Sequence, residues 1–210
     1  MLHPHSGSIQ QYIEQIDDPD RGRPFSCPQC RTKGPLTAHG FYRRTLVDDV
    51  FNGLIRIRRY RCGACLRTVS LLPAWALPFM RFSIPVIARV VKARLSENRP
   101  WKVAAPEAPY QRGQHWVRRF RKQSEALSMA LAALTAAPAA HSFVTKALGM
   151  LAQTGWMAAH RFLFSELRMH LLGWGRSLTP HGRCITTNAA CSAPGALPHS
   201  TCMDRENASD

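Results

Sequence analysis

Four cysteines stand in two pairs with two residues between the members of each pair, Cys27 with Cys30 and Cys62 with Cys65. A two-residue spacer lets both thiolates of a pair point at one ion, and four thiolates complete the tetrahedral shell that Zn²⁺ accepts. Because four thiolates leave no coordination position for water, the spacing predicts one structural zinc ion. The alternatives are a redox role or no bound metal. Strand-like flanking sequence disfavours the redox role, because it does not provide the helix start that lowers a thiol pKa.

Other possible metal ligands are less well placed. His39 lies between the two pairs and could replace one thiolate, but four well-spaced thiols favour a structural role for this histidine. Further cysteines and histidines follow in a Gly- and Pro-rich stretch near the end of the sequence: His181, Cys184, Cys191, His199 and Cys202. Their spacing matches no ligand pattern, so we interpret the three thiols there as incidental.

Positive charge is concentrated in one block of the chain. Residues 21–122 contain 22 Lys or Arg and four Asp or Glu, a net charge of +18, within a total formal charge of +15. Such a block is typical of a surface that displaces counterions from a phosphate backbone. We therefore expect double-stranded DNA as the partner, with a generally basic solvated surface as the alternative.

Composition divides the chain into a polar leader (1–24), a cysteine-containing segment with strand-like runs (25–73), a basic helical segment (74–123), an apolar helix-forming segment (124–175) and a flexible tail (176–210). This organisation predicts an α+β, mostly α fold: a small β zinc ribbon, a helix-turn-helix-like unit, a C-terminal helical bundle and the tail. The sequence has neither a signal peptide nor an apolar stretch long enough for a membrane span. We expect a cytoplasmic, nucleoid-associated protein without membrane contact.

A hairpin is predicted within the cysteine-containing segment. Apolar and cationic residues roughly alternate along Leu54–Arg61, as on a strand with one solvated face. Asn52 and Gly53 form a strong turn signal just before it. We therefore expect residues 45–50 to pair with this strand across a turn at Asn52 and Gly53.

Helices are predicted through the rest of the chain. Ser83 is a plausible N-cap for a helix that reaches Leu95, and Pro85 is tolerated in its first turn. Two more helices are expected at 101–105 and 111–123. The bundle is expected to contain three helices, at 126–135, from 142 to 152 and from 154 to about 172, capped in turn by Ser124, Ser142 and Thr154.

The helix predicted at 111–123 has the composition of a recognition helix. Trp116, Val117 and Phe120 form an apolar face, and cationic or amide side chains recur outside it. Arg and Gln can hydrogen-bond to base edges in a major groove, and Lys and Arg contact phosphates. With the cationic strand, the predicted DNA-contacting set is Arg56, Arg58, Arg59, Arg61, Gln111, Arg112, Gln114, His115, Arg118, Arg119 and Lys122.

Three segments resemble the cysteine-rich N-terminal zinc-binding region of insertion-sequence transposases and of small uncharacterised proteins associated with such elements. They are HGFYRR at 39–44, IRRYRCGAC at 57–65 and TVSLLP at 68–73. The resemblance covers residues 25–122. It implies a zinc ribbon followed by a helix-turn-helix that together recognise the ends of a mobile element, with a second copy of the chain or a transposase as further partners.

The chain departs from transposases after Lys122. Cut-and-paste transposases hold two metal ions with an acidic triad. The acidic residues that follow here are Glu125, Glu166, Asp204, Glu206 and Asp210. Because three of them lie in the predicted tail and no room remains for a catalytic domain, we expect a non-enzymatic accessory or regulatory protein.

Two other functions stay open at this point. The ribbon could bind RNA or single strands, with Phe41, Tyr42 and Tyr60 stacking on bases. A divergent nuclease or transposase is the less favoured alternative, because the acidic metal ligands are missing.

Overall fold

A computed structural model describes residues 7–18, 20–106 and 108–173. Within these residues the chain forms six helices and one three-stranded antiparallel sheet, which confirms the α+β expectation. The elements are α1 (Ile9–Gln15), β1 (Thr37–Val47), β2 (Asn52–Arg61), β3 (Thr68–Ser70), α2 (Ile84–Leu95), α3 (Trp101–Ala104), α4 (Tyr110–Leu131), α5 (Phe143–Thr154) and α6 (Trp156–Leu167). The predicted tail and its cysteines lie outside the described residues.

Strands β1 and β2 form the predicted hairpin, but its turn lies elsewhere. Val47 pairs with Asn52, and the Asp48 N–H donates to the Phe51 carbonyl at 2.7 Å, so residues 48–51 make the turn. The turn predicted at Asn52 and Gly53 is therefore wrong, because both residues already belong to β2. A Cβ at Gly53 would lie 3.0 Å from the Phe51 ring, so this glycine makes room for that ring.

Strand β1 is longer than the predicted 45–50 segment. It begins at Thr37, and its register against β2 shifts between Ala38 and Phe41. Gly40 lies inside this irregularity with φ +79, a backbone conformation that favours glycine. The bulge allows a strand of 11 residues to pair with one of 10.

The polar leader contributes a helix that the sequence analysis missed. Ser8 caps α1 through a capping box with Gln11. Tyr12 is 2% exposed, packs edge-on against Trp75 at 5.5 Å and donates its hydroxyl proton to the Arg56 carbonyl at 2.9 Å. Burial raises the pKa of Tyr12 well above its ordinary value. Helix α1 thus covers one face of the sheet, where it shares a core cluster with buried residues of β1 and β2.

The sheet continues directly into the helical part of the chain. The Val47 N–H donates to the Arg81 carbonyl at 2.7 Å, and the Ser83 N–H donates to the Val47 carbonyl at 3.0 Å. Ser83 then caps α2, since its hydroxyl accepts from the Val86 N–H at 3.4 Å, as predicted. The end of β1 therefore fixes the point at which α2 begins.

Helix α4 replaces two helices that were predicted separately. Ser124 does not cap a new helix, because it is buried within α4 and donates to the Arg121 carbonyl at 2.8 Å. Ser128 donates likewise to the Ser124 carbonyl at 2.8 Å. A serine hydroxyl can donate a hydrogen bond to a backbone carbonyl in the preceding turn of its own helix, so a serine alone does not mark a helix start.

Helices α5 and α6 agree with the predictions in part. Ser142 caps α5 as predicted, accepting from the Thr145 N–H at 3.1 Å. Thr154 is not a cap but the last residue of α5, and Gly155, with φ +83, separates the two helices. Helix α6 ends at Leu167 because Arg168 is left-handed at φ 53, short of the predicted end near residue 172.

One hydrophobic cluster joins α2, α4, α5 and α6. Phe82 packs edge-on against Trp116 at 4.9 Å, and Phe120 stacks on Trp156 at 5.7 Å. Gly113 lets a further aromatic ring approach, because a Cβ there would lie 2.9 Å from the Trp101 ring. Among the described residues, no helix is long and apolar enough to cross a membrane.

His160 makes this helical core sensitive to acid. The side chain is fully buried, and within the described part of the chain neither of its ring nitrogens has a hydrogen-bond partner. Burial, with a smaller contribution from His170, lowers the pKa of His160 to about 3. As pH falls, the histidine of the unfolded chain is therefore protonated at a higher pH than His160 of the folded chain. The contribution of His160 to the free energy of unfolding is full above the unfolded pKa, and it is lost as pH falls from there towards 3.

We expect the free energy of unfolding to fall by about 2 kcal/mol between neutrality and about pH 5, beyond any change from other groups. Urea unfolding at several pH values measures this. The His160→Phe variant should lose that part of the slope, whereas His141→Phe, at an exposed position, should keep it. An unchanged slope in His160→Phe would show that His160 is not the responsible group.

Candidate metal centre and nucleic-acid interface

The first cysteine pair lies on a tight turn held by its own backbone. The Cys27 N–H donates to the Thr32 carbonyl at 3.0 Å, and the Arg31 N–H donates back to the Cys27 carbonyl at 2.8 Å. Arg31 has φ 62, and the Gln29 N–H points at the Cys27 sulfur at 3.4 Å. The turn therefore points both thiols of the pair in one direction.

The second pair repeats this hydrogen-bond pattern. The Cys62 N–H donates to the Arg67 carbonyl at 3.0 Å, and the Leu66 N–H donates back to the Cys62 carbonyl at 2.9 Å. Leu66, like its counterpart in the first turn, has positive φ, at 57. Cys62 directly follows β2, and β3 begins at Thr68, so the sheet holds both ends of this turn. The two turns share only their cysteine spacing in sequence. What they otherwise have in common is their backbone conformation and hydrogen bonds.

The two turns bring all four sulfurs together. The Sγ atoms of Cys27, Cys30, Cys62 and Cys65 all lie within 4.8 Å of one another. Cys27 Sγ lies 3.7 Å from Cys65 Sγ, and Cys30 Sγ lies 3.7 Å from Cys62 Sγ, too far for disulfide bonds. A zinc ion with Zn–S bonds of about 2.3 Å needs tetrahedral sulfur separations of about 3.8 Å. The four thiols thus lie close enough to hold a metal ion and are compatible with a structural zinc; His39 is exposed on β1, outside the group.

Hydrogen bonds and crowding move the thiol pKa values apart. Hydrogen bonds from the Thr32 side chain and backbone lower the pKa of Cys30 to about 6. At Cys65 the Arg67 backbone acts in the same direction, but desolvation and the neighbouring thiols outweigh it and raise the pKa to about 11. Four thiolates within 4.8 Å of one another would repel, so the four thiols do not all ionise readily without a cation. A divalent cation would remove this conflict, since metal ligation requires the thiolate form.

The cations of β2 are largely used within the fold. Arg58 is 8% exposed, donates to the Asp17 carbonyl at 2.9 Å and lies over the Phe41 ring at 4.1 Å. Arg56 lies over the same ring at 4.0 Å and forms an ion pair with the Asp17 carboxylate at 2.7 Å. Arg59 is half-buried, and Arg61 is exposed at the end of the strand. The prediction that Arg58 contacts DNA is therefore wrong, because its guanidinium is committed to the interior.

Helix α4 presents most of the other predicted contacts on its surface. Its apolar side is buried, with Trp116 and Phe120 at 0% and Val117 at 6% exposed. The exposed cationic or amide side chains are Gln111, Arg112, Gln114, Arg118, Arg121 and Lys122, and His115 is half-buried beside them. We call this set the α4 basic face. Arg121 was missing from the predicted set, although it lies three residues from Arg118 and is equally exposed.

Arg119 is the exception on α4. Its guanidinium donates to the Leu172 carbonyl at 2.8 Å and to the Gly173 carbonyl at 2.5 Å. It therefore fixes the segment after α6 against α4. Its role as a DNA contact stays a prediction, although these backbone carbonyls engage part of the side chain.

A family model described as a domain of unknown function, DUF6431, matches residues 27–107. The chain is similar to that family over this stretch, which begins at the first paired cysteine. No curated protein and no solved structure matches the chain. The stretch similar to DUF6431 contains all four paired cysteines, the whole sheet, α2 and α3, and it ends just before α4 begins. The possible metal centre thus lies inside the family similarity, and the α4 basic face lies outside it.

Proposed function

We propose that this chain is a double-stranded DNA-binding protein in which a zinc ribbon supports a helix-turn-helix-like unit made of α2, α3 and α4. The observation that supports this best is the α4 basic face. It occupies the N-terminal half of a helix whose opposite side is buried in the core, so its cationic and amide side chains are held outward together. A recognition helix uses its N-terminal residues on base edges in the same way.

The side chains of α4 divide by chemistry into two groups. Gln111, Arg112 and Gln114, in the first turn and a half, can hydrogen-bond to base edges in a major groove. Arg118, Arg121 and Lys122 lie one or two turns further along and suit phosphate contacts. Within the part of the chain that the structure describes, Arg112, Arg121 and Lys122 have no carboxylate partner. Their charge would therefore be available to a phosphate backbone.

In this proposal Cys27, Cys30, Cys62 and Cys65 hold one zinc ion. The ion would cross-link two turns that are 31 residues apart in the chain and would supply no reaction chemistry, because all four ligand positions are thiolates. The sheet it closes is joined to α2 by an ion pair between Asp49 and Arg89 at 2.6 Å. Metal binding would thus stabilise the sheet against which α2 is held.

The biological role that we propose is that of an accessory or regulatory protein of a mobile element, without a catalytic step of its own. The resemblance to the N-terminal region of insertion-sequence transposases supports this role. A second copy of the chain, or a transposase, would then be a protein partner.

Duplex binding by the full-length protein tests the proposed function. We expect binding to a random-sequence duplex whose affinity falls steeply with salt, with a log–log slope of about −4.5 if five phosphates are neutralised. Fluorescence anisotropy at several salt concentrations measures it. Binding that is absent, or that does not change with salt, would refute the assignment.

A further inference from the structure

A groove lies beside the sheet, and none of its lining residues belongs to the α4 basic face. Its volume is about 490 Å³, within the range of small-ligand sites. Its lining includes residues of β1 and of β3, the two outer strands of the sheet, together with the segment 79–81. The groove is lined by Tyr42, Arg44, Thr45, Ser70, Phe79, Met80 and Arg81.

Phe79, which lines this groove, combines high exposure with a positive backbone φ. It is 93% exposed and has φ 61. It occupies the third position of a turn that begins at Leu77, has Pro78 second and closes with the Met80 N–H donating to the Leu77 carbonyl at 3.3 Å. A turn with proline second and positive φ third favours glycine at that third position. A phenylalanine here gains no burial and adopts a conformation that L side chains rarely take, so packing gives no reason for its presence.

The turn is held rigidly against β1. The Arg44 guanidinium donates to the Leu77 carbonyl at 3.1 Å, at the start of the turn. The Val47 N–H donates to the Arg81 carbonyl at 2.7 Å, just after its end. Two residues of one strand therefore fix both ends of the turn. The backbone that carries Phe79 is thus held in place, which lowers the entropy lost when a flat ligand stacks on the ring.

The other lining residues suit an anionic ligand. Arg81 is exposed. Arg44 is half-buried, and one nitrogen of its guanidinium donates to the Leu77 carbonyl. Tyr42 adds a second aromatic ring with a polar hydroxyl. Among the described residues that line the groove, none is acidic. An aromatic platform next to guanidinium groups is the combination that binds unpaired nucleotides.

We propose that this groove binds an unpaired nucleotide of a single-stranded nucleic acid, with its base stacked on Phe79 and its phosphate paired with Arg81 and Arg44. The inference extends the proposed DNA-binding function to unpaired strands, but it uses none of the residues of the α4 basic face. The earlier expectation that Tyr60 would stack on bases is wrong, because this side chain is 0% exposed. Of Phe41, Tyr42 and Tyr60, Tyr42 is the one that lines the groove.

The test compares Phe79 variants of the full-length protein in binding to fluorescein-labelled oligothymidylate and oligouridylate of about 12 nucleotides. We expect Phe79→Gly and Phe79→Leu to lose about tenfold in affinity, because neither offers a ring, and Phe79→Trp to retain it. Arg81→Ala should reduce the salt slope by roughly 0.7. Val50→Ala is the matched control, since Val50 is 90% exposed at the hairpin turn, and it should bind like the wild type. The ratio of the two affinities identifies DNA or RNA as the preferred strand.

Two further readouts separate this site from a structural role and from the proposed function. Phe79→Gly should melt no earlier than the wild type, since glycine suits positive φ, and its duplex affinity should stay unchanged. Single-strand affinity that is equal in the wild type, Phe79→Gly and Phe79→Leu would overturn the inference. So would a loss of affinity accompanied by a lower melting temperature in every Phe79 variant. If the wild type failed to bind duplex but its single-strand binding depended on Phe79, the proposed function would fail and this site would stand.

Discussion

Replacing Cys62 with serine should remove bound zinc and unfold the sheet of this protein. Cys62 is 4% exposed and directly follows β2, and its N–H and carbonyl form the hydrogen bonds of the second cysteine turn. The cluster around the four thiols is small, with Leu36, Tyr60, Val69 and Leu71 as its other buried members. Structural zinc contributes about 10–16 kcal/mol of apparent binding free energy, which in so small a module is folding free energy.

Metal analysis and thermal melting of the full-length protein measure this effect. The wild type should contain one equivalent of zinc, and Cys62→Ser should contain almost none and should lose the signal of the sheet by circular dichroism. Two controls are available. Cys184→Ser removes a thiol that was predicted to be incidental, and His39→Ala removes the alternative ligand; both should keep the full equivalent. A Cys62→Ser protein that still bound one equivalent of zinc would eliminate the four-cysteine site.

The Arg118→Ala/Lys122→Ala double variant should weaken binding to duplex DNA by roughly 10- to 100-fold at low salt. Both side chains are exposed on the α4 basic face, one turn apart. Each phosphate contact that is lost removes about 0.9 from the slope of log affinity against log salt. We therefore expect the slope to become shallower by about 2 when both contacts are lost. The variant should fold normally, because neither side chain packs in the core.

The matched control is the Lys146→Ala/Arg161→Ala double variant. It removes the same two side-chain types and the same charge from α5 and α6, where Arg161 is exposed and Lys146 is half-buried. If both double variants lost affinity equally, net charge would explain binding and the α4 basic face would not be the contact surface. If only the control lost affinity, the contact surface would lie on α5 and α6.

The parts of this fold that were predictable from sequence are those with local causes. The cysteine spacing predicted the four-thiol group because each pair folds on its own turn. The alternation in Leu54–Arg61 predicted β2, and Ser83 and Ser142 predicted the starts of α2 and α5 through local capping bonds. In each case the signal itself lies within a short stretch of sequence, although the two cysteine pairs meet across 31 intervening residues.

Several of the errors have long-range causes. The role of Arg58 depends on the carbonyl of Asp17, which is 41 residues away along the chain, and Arg119 is likewise engaged in part by the Leu172 carbonyl, 53 residues away. A cation engaged in this way looks the same in sequence as one that is available to a phosphate. The burial of Tyr12 in a polar leader also depends on distant partners, among them Trp75. Sequence could therefore indicate which side chains are cationic, but not which of them the fold uses internally.

Helix α4 also determines how the α4 basic face is rotated, about the helix axis, relative to the bundle that α4 forms with α5 and α6. Its N-terminal half presents the basic face, and Leu127 and Leu131 near its C-terminal end are fully buried among α5 and α6. The 22 residues form an uninterrupted rod of about 33 Å, in which each residue adds about 100° of rotation. Inserting one residue between Lys122 and Leu127 would therefore turn the basic face by more than a quarter of a revolution relative to the bundle. If the basic face binds a duplex as proposed, the number of residues in this one helix would set the direction in which the bundle projects from it.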